Sequence, residues 1–328
     1  MRALVTGGSG FLGRVVVDRL LSRGFHVRSL GRSPQLGLEA LGVDVLQGDI
    51  ADKAAVQSAC SGVDVVFHIA AKAGVWGPRS EYVRANIIGT QHVVEACKEH
   101  GVKKLIYTST PSVVFNRKPL KHVNESMPYG SRWLCAYAQT KAIAEYSALS
   151  AHDANGLQVV ALRPHLIWGP GDPHLLPRIL LRARAGRLYI VGRGDNWVDI
   201  TYVDNAADAH LCAMDALDRG TCGGKAYFIS QGEPVQLWPW INHILERCGI
   251  PVINKKIPLW AAYAAGALLE STHRLLHLEQ EPPMTRFVAI ELAKTHTFDI
   301  SAARKDLDYH PRISTELGLN TWLQNIQG

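Results

Sequence analysis

The sequence predicts an α/β protein, a doubly wound parallel sheet followed by a smaller α+β C-terminal domain. Three observations carry this reading. Apolar, β-branched runs alternate with helical patterns through the first half, as in a parallel sheet covered by helices on both faces. A glycine-rich turn from Gly7 to Gly13 leads straight from the first such run into a helical pattern. Beyond Arg163 the alternation stops, and Pro164, Pro170, Pro173 and Pro177 fall close together, which marks a domain crossing.

Taken in order, strands are expected at Ala3–Thr6, His26–Leu30, Asp44–Gln47, Asp64–Ile69, Lys104–Thr108 and Gln158–Leu162. Helices are expected at Phe11–Ser22, Lys53–Cys60, Ser80–His100 and Ala136–His152, with Gly24 and Gly101 where C-terminal caps belong. Residues 1–163 then form the sheet domain and 164–328 mainly a substrate domain, with segments near 198–230 returning to the sheet. In that second half, helices are expected at Leu175–Ala185 and Val203–Leu217, and Asp204 is expected to cap the latter.

Bulk properties narrow the function classes. Hydrophobic residues make up 47% and charged residues 20%, the balance of a soluble globular protein and not of a disordered one. The net charge of +6 is not gathered into a basic block, so nucleic acid is not an expected partner, although a phosphorylated cofactor could use part of the excess. The six cysteines contain no Cys-x-x-Cys pair, so neither a metal site nor a disulfide framework is expected, and reduced thiols in the cytoplasm are. The chain opens directly as a strand, which leaves no room for a signal peptide. No apolar run is long enough to span a bilayer. The nearest lies in 257–270, where Trp260, Tyr263 and Leu268 fit an apolar substrate tunnel, a peripheral membrane contact or a helix buried in the smaller domain.

The glycine turn has a specific chemistry. Gly7 permits the tight turn, Gly10 lets backbone approach a pyrophosphate, and Gly13 allows close packing, while the N-terminus of the helix opening at Phe11 and Leu12 offers free N–H groups. This is the dinucleotide-binding arrangement of a Rossmann domain. The second strand ends Leu30-Gly31-Arg32-Ser33, without the acidic residue that usually binds the ribose of NAD(H). Arg32 instead suits a 2′-phosphate, so NADP(H) is favoured and NAD(H) remains open. Asp49, in Gly48-Asp49-Ile50, is placed either to meet the adenine or to cap a turn.

Tyr137 and Lys141 stand four residues apart, on one face of a helix, and no other Tyr–Lys pair in the chain has this spacing. A nearby ammonium is expected to lower the phenol pKa and make Tyr137 a general acid for ketone reduction or a base for alcohol oxidation. Lys141 could also hold a nicotinamide ribose. The fifth strand ends Thr108-Ser109-Thr110-Pro111-Ser112, which directs a group of hydroxyls toward the same crevice. One of them is expected to bond a substrate carbonyl and stabilise oxyanion charge.

Together these segments resemble the extended short-chain dehydrogenase/reductases, specifically the 3β-hydroxysteroid dehydrogenase-like branch. The resemblance runs through Thr6 to Gly13, Phe67-His68-Ile69-Ala70-Ala71, Asn86-Ile87-Ile88-Gly89-Thr90, Tyr107 to Thr110, Tyr137 to Lys141 and Arg163-Pro164. It implies that the active hydroxyl is Thr110, where relatives usually carry serine, with Ser109 as the alternative. It also implies that Ile50, Ala70 and Pro164 join the cofactor site, and that a homodimer forms through the helices at Ser80–His100 and Ala136–His152. The family's dehydratases carry Asp-Glu after this hydroxyl. Here Pro111-Ser112 disfavours sugar dehydration.

Longer segments, Ala70 to Gly77, Tyr107 to Val113 and Leu162 to Asp172, are similar to 2-alkyl-3-oxoalkanoate reductases of bacterial long-chain olefin biosynthesis. Arg163-Pro164-His165 and Gly223 to Ala226 are also similar to sterol-4α-carboxylate 3-dehydrogenases. The shared expectation is a β-oxo or β-hydroxy acid with a large apolar body, reduced by NADPH in the leading reading. Lys72, Arg79 and His165 are candidates to meet its carboxylate and Trp76 to line its cavity, while Trp197, Tyr202 and Met284 either line it or pack in the core. A 3β-hydroxysteroid dehydrogenase, a nucleotide-sugar epimerase and a non-catalytic NADP sensor are the alternatives.

Overall fold

A computed structural model describes residues 1–327. Its centre is a sheet of seven strands: β1 (Arg2–Thr6), β2 (His26–Gly31), β3 (Asp44–Gln47), β4 (Val65–His68), β5 (Lys104–Thr108), β6 (Gln158–Pro164) and β7 (Ala226–Ile229). The order is β7-β6-β5-β4-β1-β2-β3, and every pairing is parallel. The direction of strand order reverses at β1/β4, with Thr6 in register with both Leu30 and His68. This is the Rossmann arrangement expected from the sequence, and it opens a crevice at the carboxyl ends of β1 and β4.

Because the sheet is covered on both sides, its strands alternate between two cores and not between core and water. Ala3, Val5, Phe67, Ile106 and Val160 pack toward helices Phe11–Ser22 and Val203–Asp218. Leu4, Val66, Leu105 and Val159 pack toward Lys53–Cys60, Gly89–Glu99 and Ala136–Ser150. Helix Val203–Asp218 and strand β7 come from the second half of the chain but belong to this sheet layer.

The remaining second half builds a smaller unit around Trp168, Leu176, Trp238, Trp240 and Ile244. A four-stranded sheet joins it to the first half, in the order Val235–Gln236, Trp197–Val198, His296–Phe298, Leu120–Val123. The expected long helix near 80–100 is present but changes winding. It runs as an α-turn at Arg79–Tyr82, a π-helical stretch at Val83–Ile88, and an α-helix at Gly89–Glu99. Such π stretches are uncommon and often mark functional positions.

Three expectations are decided by the structure. Asp204 does not cap helix Val203–Asp218; it lies in the first turn and takes a 2.6 Å bond from Arg19 on the neighbouring helix. Tyr202 is 2% exposed and packs against Trp168, inside the smaller core. Helix Leu259–Leu275 is not buried: it turns only Ala262, Gly266 and Glu270 inward, and Trp260 and Leu268 are 75% and 69% exposed. No helix among the described residues is long and apolar enough to cross a membrane.

Candidate active site

A cavity of about 970 Å³ runs from the glycine turn, past the ends of β4, β5 and β6, to an apolar wall in the smaller unit. All twelve residues expected at the cofactor line it: Gly7, Gly10, Phe11, Leu12, Gly13, Arg32, Asp49, Ile50, Ala70, Tyr137, Lys141 and Pro164. Gly7 has φ +73°, which a side chain would strain. At Gly13 a Cβ would lie 2.0 Å from the Gly7 carbonyl oxygen, so only glycine lets the helix start this close to the turn. No side chain caps this helix at Gly10, and its first-turn N–H groups remain available to an anion. The cradle therefore fits the diphosphate of a dinucleotide.

Around it, Asp49 caps a turn, one of the two roles expected of it. Its carboxylate accepts from Ala51 N at 2.9 Å, capping the turn, and from Arg84 at 2.9 Å, while lining the cavity. Arg32 is exposed at the end of β2, and its guanidinium has no ion-pair or hydrogen-bond partner among the described residues. Beneath the turn, Thr6 Oγ1 bonds His68 Nδ1 at 2.8 Å, and His68 Nε2 bonds Thr90 Oγ1 at 3.0 Å. Burial, followed by the nearby Lys141 charge, holds His68 at a pKa of about 3, so this link is neutral. Thr90 in turn donates to the Asn86 carbonyl at 2.6 Å.

Asn86, in the π-helical stretch, holds the backbone of Lys72 from both sides, at 2.8 and 3.1 Å, and donates to Thr140 at 3.0 Å. It thus fixes the strand-four loop against the helix that carries Tyr137 and Lys141. The sequence displays Asn86 within a motif, but this bracing depends on partners 14 and 54 residues away.

Tyr137 and Thr110 both line the cavity. The Lys141 ammonium donates to the Thr108 carbonyl at 2.6 Å and lies 4.3 Å from the Tyr107 ring centre. The expected lowering of the phenol pKa is therefore reversed. Burial pushes Tyr137 up to about 12, with the Thr110 hydrogen bond opposing. Lys141 is itself pushed down to about 7 by burial, with Glu145 pulling it back. Glu145, fully buried one turn beyond Lys141, is held by Arg163 Nη2 at 2.6 Å and by the Tyr129 hydroxyl at 2.7 Å. Its four-residue spacing from Lys141 was a signal open to sequence reading.

Thr110 opens the short helix Pro111–Val114 and accepts from Ser112 N at 3.3 Å. Ser109 also lines the cavity, and its buried hydroxyl has no partner. Of the substrate candidates, Lys72 and His165 line the cavity. Lys72 is paired with Glu81, so its charge is already answered. Trp76, Arg79, Trp197 and Met284 are not among the lining residues. Trp76 donates to the Leu278 carbonyl and packs against His273, Arg79 reaches Gln139, and Met284 packs on the smaller core. Trp197 is 46% exposed on a two-residue strand, facing water.

The far wall is largely apolar, with Leu175, Ile179, Leu188, Phe287, Val288 and Leu292, and it also carries Arg178, Arg182 and Glu281. His165 and Glu291, which line the cavity, and His296, which does not, bring possible metal-ligating atoms within 4.8 Å of one another. His165 Nε2 and His296 Nδ1 are bonded to each other at 2.6 Å, which commits both nitrogens to a shared proton. The sequence reading did not include Glu291 or His296.

Comparison with known proteins agrees with this geometry. Residues 4–259 match the 3-beta hydroxysteroid dehydrogenase/isomerase family. The chain is 49% identical over 325 residues to a 2-alkyl-3-oxoalkanoate reductase of Shewanella oneidensis, covering 97% of this chain and 84% of that protein. It is 34% identical over 332 residues to the human sterol-4-alpha-carboxylate 3-dehydrogenase, decarboxylating, covering 99% and 88%. Among solved structures it is similar to MoeE5 in complex with UDP-glucose and NAD, with TM-score 0.76 and 25% identity over 100% and 99% of the two chains. The chain belongs to the 3-beta hydroxysteroid dehydrogenase/isomerase family and is an NAD(P)-dependent oxidoreductase.

Proposed function

We propose that the protein reduces the ketone of a long-chain 2-alkyl-3-oxoalkanoate to the 3-hydroxy acid with NADPH, as in bacterial olefin biosynthesis. The carrying observation is one continuous cavity, with the glycine cradle and Arg32 at one end, the Tyr137 and Thr110 hydroxyls midway and an apolar wall beyond. The 49% identity to a reductase of that name supports the substrate class. Gly7, Gly10 and Gly13 would hold the diphosphate, Arg32 a 2′-phosphate, and Ile50 and Asp49 the adenine side. When bound, the nicotinamide supplies the hydride.

The chain's own residues supply the rest. Thr110, or Ser109 beside it, donates to the ketone oxygen and stabilises the charge that develops there. Tyr137 holds its proton firmly at neutral pH, because burial raises the phenol to about 12, and gives it to the new alkoxide. Lys141 is available to the ribose. The apolar wall holds the alkyl chains and excludes water.

A sterol-4α-carboxylate oxidised at C3 is the second reading, supported by the 34% identity to the human enzyme. Both readings share an acid group beside the reacting carbon. The test is cofactor turnover with a 2-alkyl-3-oxo acid, a 3β-hydroxysteroid and a nucleotide sugar, each with both cofactors. NADPH oxidation with the oxo acid supports the reading. Turnover confined to the steroid or the sugar overturns it.

The same proposal places the protein in the cytoplasm as a homodimer packed through helices near 80–100 and 136–152, where Ile88, Ile143 and Tyr146 are exposed. Segment 257–270, with exposed Trp260 and Leu268, would rest on a lipid surface.

A further inference from the structure

The hydrogen bonds behind the cavity fix which nitrogen of His165 carries a proton. His296 Nε2 lies 2.9 Å from the backbone carbonyl oxygen of Glu291, which can only accept, so His296 carries hydrogen on Nε2. In the neutral ring Nδ1 is then a bare acceptor. It lies 2.6 Å from His165 Nε2, which must therefore donate. The remaining nitrogen, His165 Nδ1, is left with a lone pair and bonds nothing among the described residues, on a side chain that lines the cavity.

His165 is also held rigidly. Its N–H donates to the Ile229 carbonyl at 3.1 Å, and its own carbonyl accepts from Thr201 Oγ1 at 2.7 Å. The ring meets His296 edge-on at 4.7 Å and Phe298 at 5.1 Å. The next residue, Leu166, has φ +41°, a strained conformation for a leucine of the kind that clusters at functional sites. Burial keeps His165 neutral, well below its ordinary pKa. The Glu291 carboxyl lies 3.8 Å from His296 Nε2, where it balances positive charge that reaches the pair.

We propose that His165 is the acid-recognition residue of this cavity, taking the carboxyl group of a β-oxo acid at Nδ1, with His296 and Glu291 as positioning residues. This rests on the reading of the substrate as a β-oxo acid. A neutral Nδ1 cannot face an ionised carboxylate, since both offer lone pairs, so one proton must lie between them. An acid that enters un-ionised brings that proton as its O–H. An ionised acid takes one proton from solvent onto the His165–His296 pair. A methyl ester has neither the proton nor the charge, and it is rejected.

The experiment compares kcat/KM for a 2-alkyl-3-oxo acid and its methyl ester, in wild type and in His165→Leu, His165→Gln and His296→Leu. Thermal melting and NADP⁺ binding serve as folding controls. Wild type is expected to prefer the acid by about 10- to 100-fold, the worth of a charge-assisted hydrogen bond. Both His165 variants are expected to collapse that ratio toward one, and His296→Leu to reduce it. Titration of the 3-hydroxy acid product in buffers of different ionisation enthalpy is expected to show about one proton taken up by wild type and none by His165→Gln. Unchanged ratios in folded variants, or a wild type that reduces both compounds equally, overturn this inference alone. A wild type that turns over neither compound overturns the substrate reading and this inference with it.

Discussion

Lys141 donates an ammonium N–H to the Thr108 carbonyl at 2.6 Å and lies 4.3 Å from the Tyr107 ring centre, on the helix that also carries Tyr137. Burial, and not a neighbouring cation, sets the direction in which the Tyr137 pKa moves. Tyr137 is a half-buried, firmly protonated acid and Lys141 a buried amine that is easily discharged.

This division makes Tyr137→Phe the sharpest single substitution. It removes the proton donor and leaves the ring in place. The expected outcome is a fall in kcat of about 10²- to 10⁴-fold, with NADP⁺ affinity and melting temperature near wild type. A residual rate within threefold of wild type would remove Tyr137 from the chemistry.

The pKa of Lys141 has a consequence for stability. It is about 7 in the folded chain against 10.5 ordinarily, so between these values the unfolded chain binds the additional proton. Stability contributed at this site thus rises with pH across that window. In denaturant titrations from pH 7 to 10, wild type should gain stability relative to Lys141→Met. A difference that stays flat would place the Lys141 pKa at its ordinary value.

Glu145 and Arg163 are 0% and 4% exposed, and the carboxylate takes bonds from both Arg163 Nε and Nη2. Glu145→Gln leaves a buried guanidinium without its counter-charge, which costs about 3–5 kcal/mol. Chemical denaturation should show a loss of that order. Lys141 also loses the nearby negative charge that raises its pKa, so its charge should be lost at lower pH in the variant.

Arg32 tests the cofactor. Arg32→Ala should raise KM for NADPH by about tenfold, since a charge-assisted phosphate contact is worth roughly 1.5–3 kcal/mol, and should leave KM for NADH unchanged. Equal effects on both cofactors would assign Arg32 to the surface.

Much of this fold was legible in the sequence because its signals are local. Strand period, the glycine turn and the Tyr137–Lys141 spacing each depend on residues within a few positions of one another. What the sequence concealed depends on distant partners. Asp204 reads as a helix cap until Arg19, 185 residues away, claims its carboxylate. His165 reads as a candidate to meet a carboxylate, but its tautomer is hidden until His296, 131 residues away, fixes it. Arg79 and Trp197 were named for their chemistry, but the direction of a side chain is set by tertiary packing. The phenol pKa was misjudged for a related reason: helical spacing placed the charge nearby, but burial exerted the larger effect.

The central claim is a hydride delivered to the C3 ketone of a 2-alkyl-3-oxo acid in this cavity. Its most direct measurement is a single turnover with NADPH deuterated at the transferring C4 position, followed by mass spectrometry of the product. The account predicts one deuterium on the C3 carbinol carbon per NADPH oxidised, and none with Tyr137→Phe on the same timescale. Unlabelled hydroxy acid, or no hydroxy acid while a steroid or nucleotide sugar is converted, would contradict it.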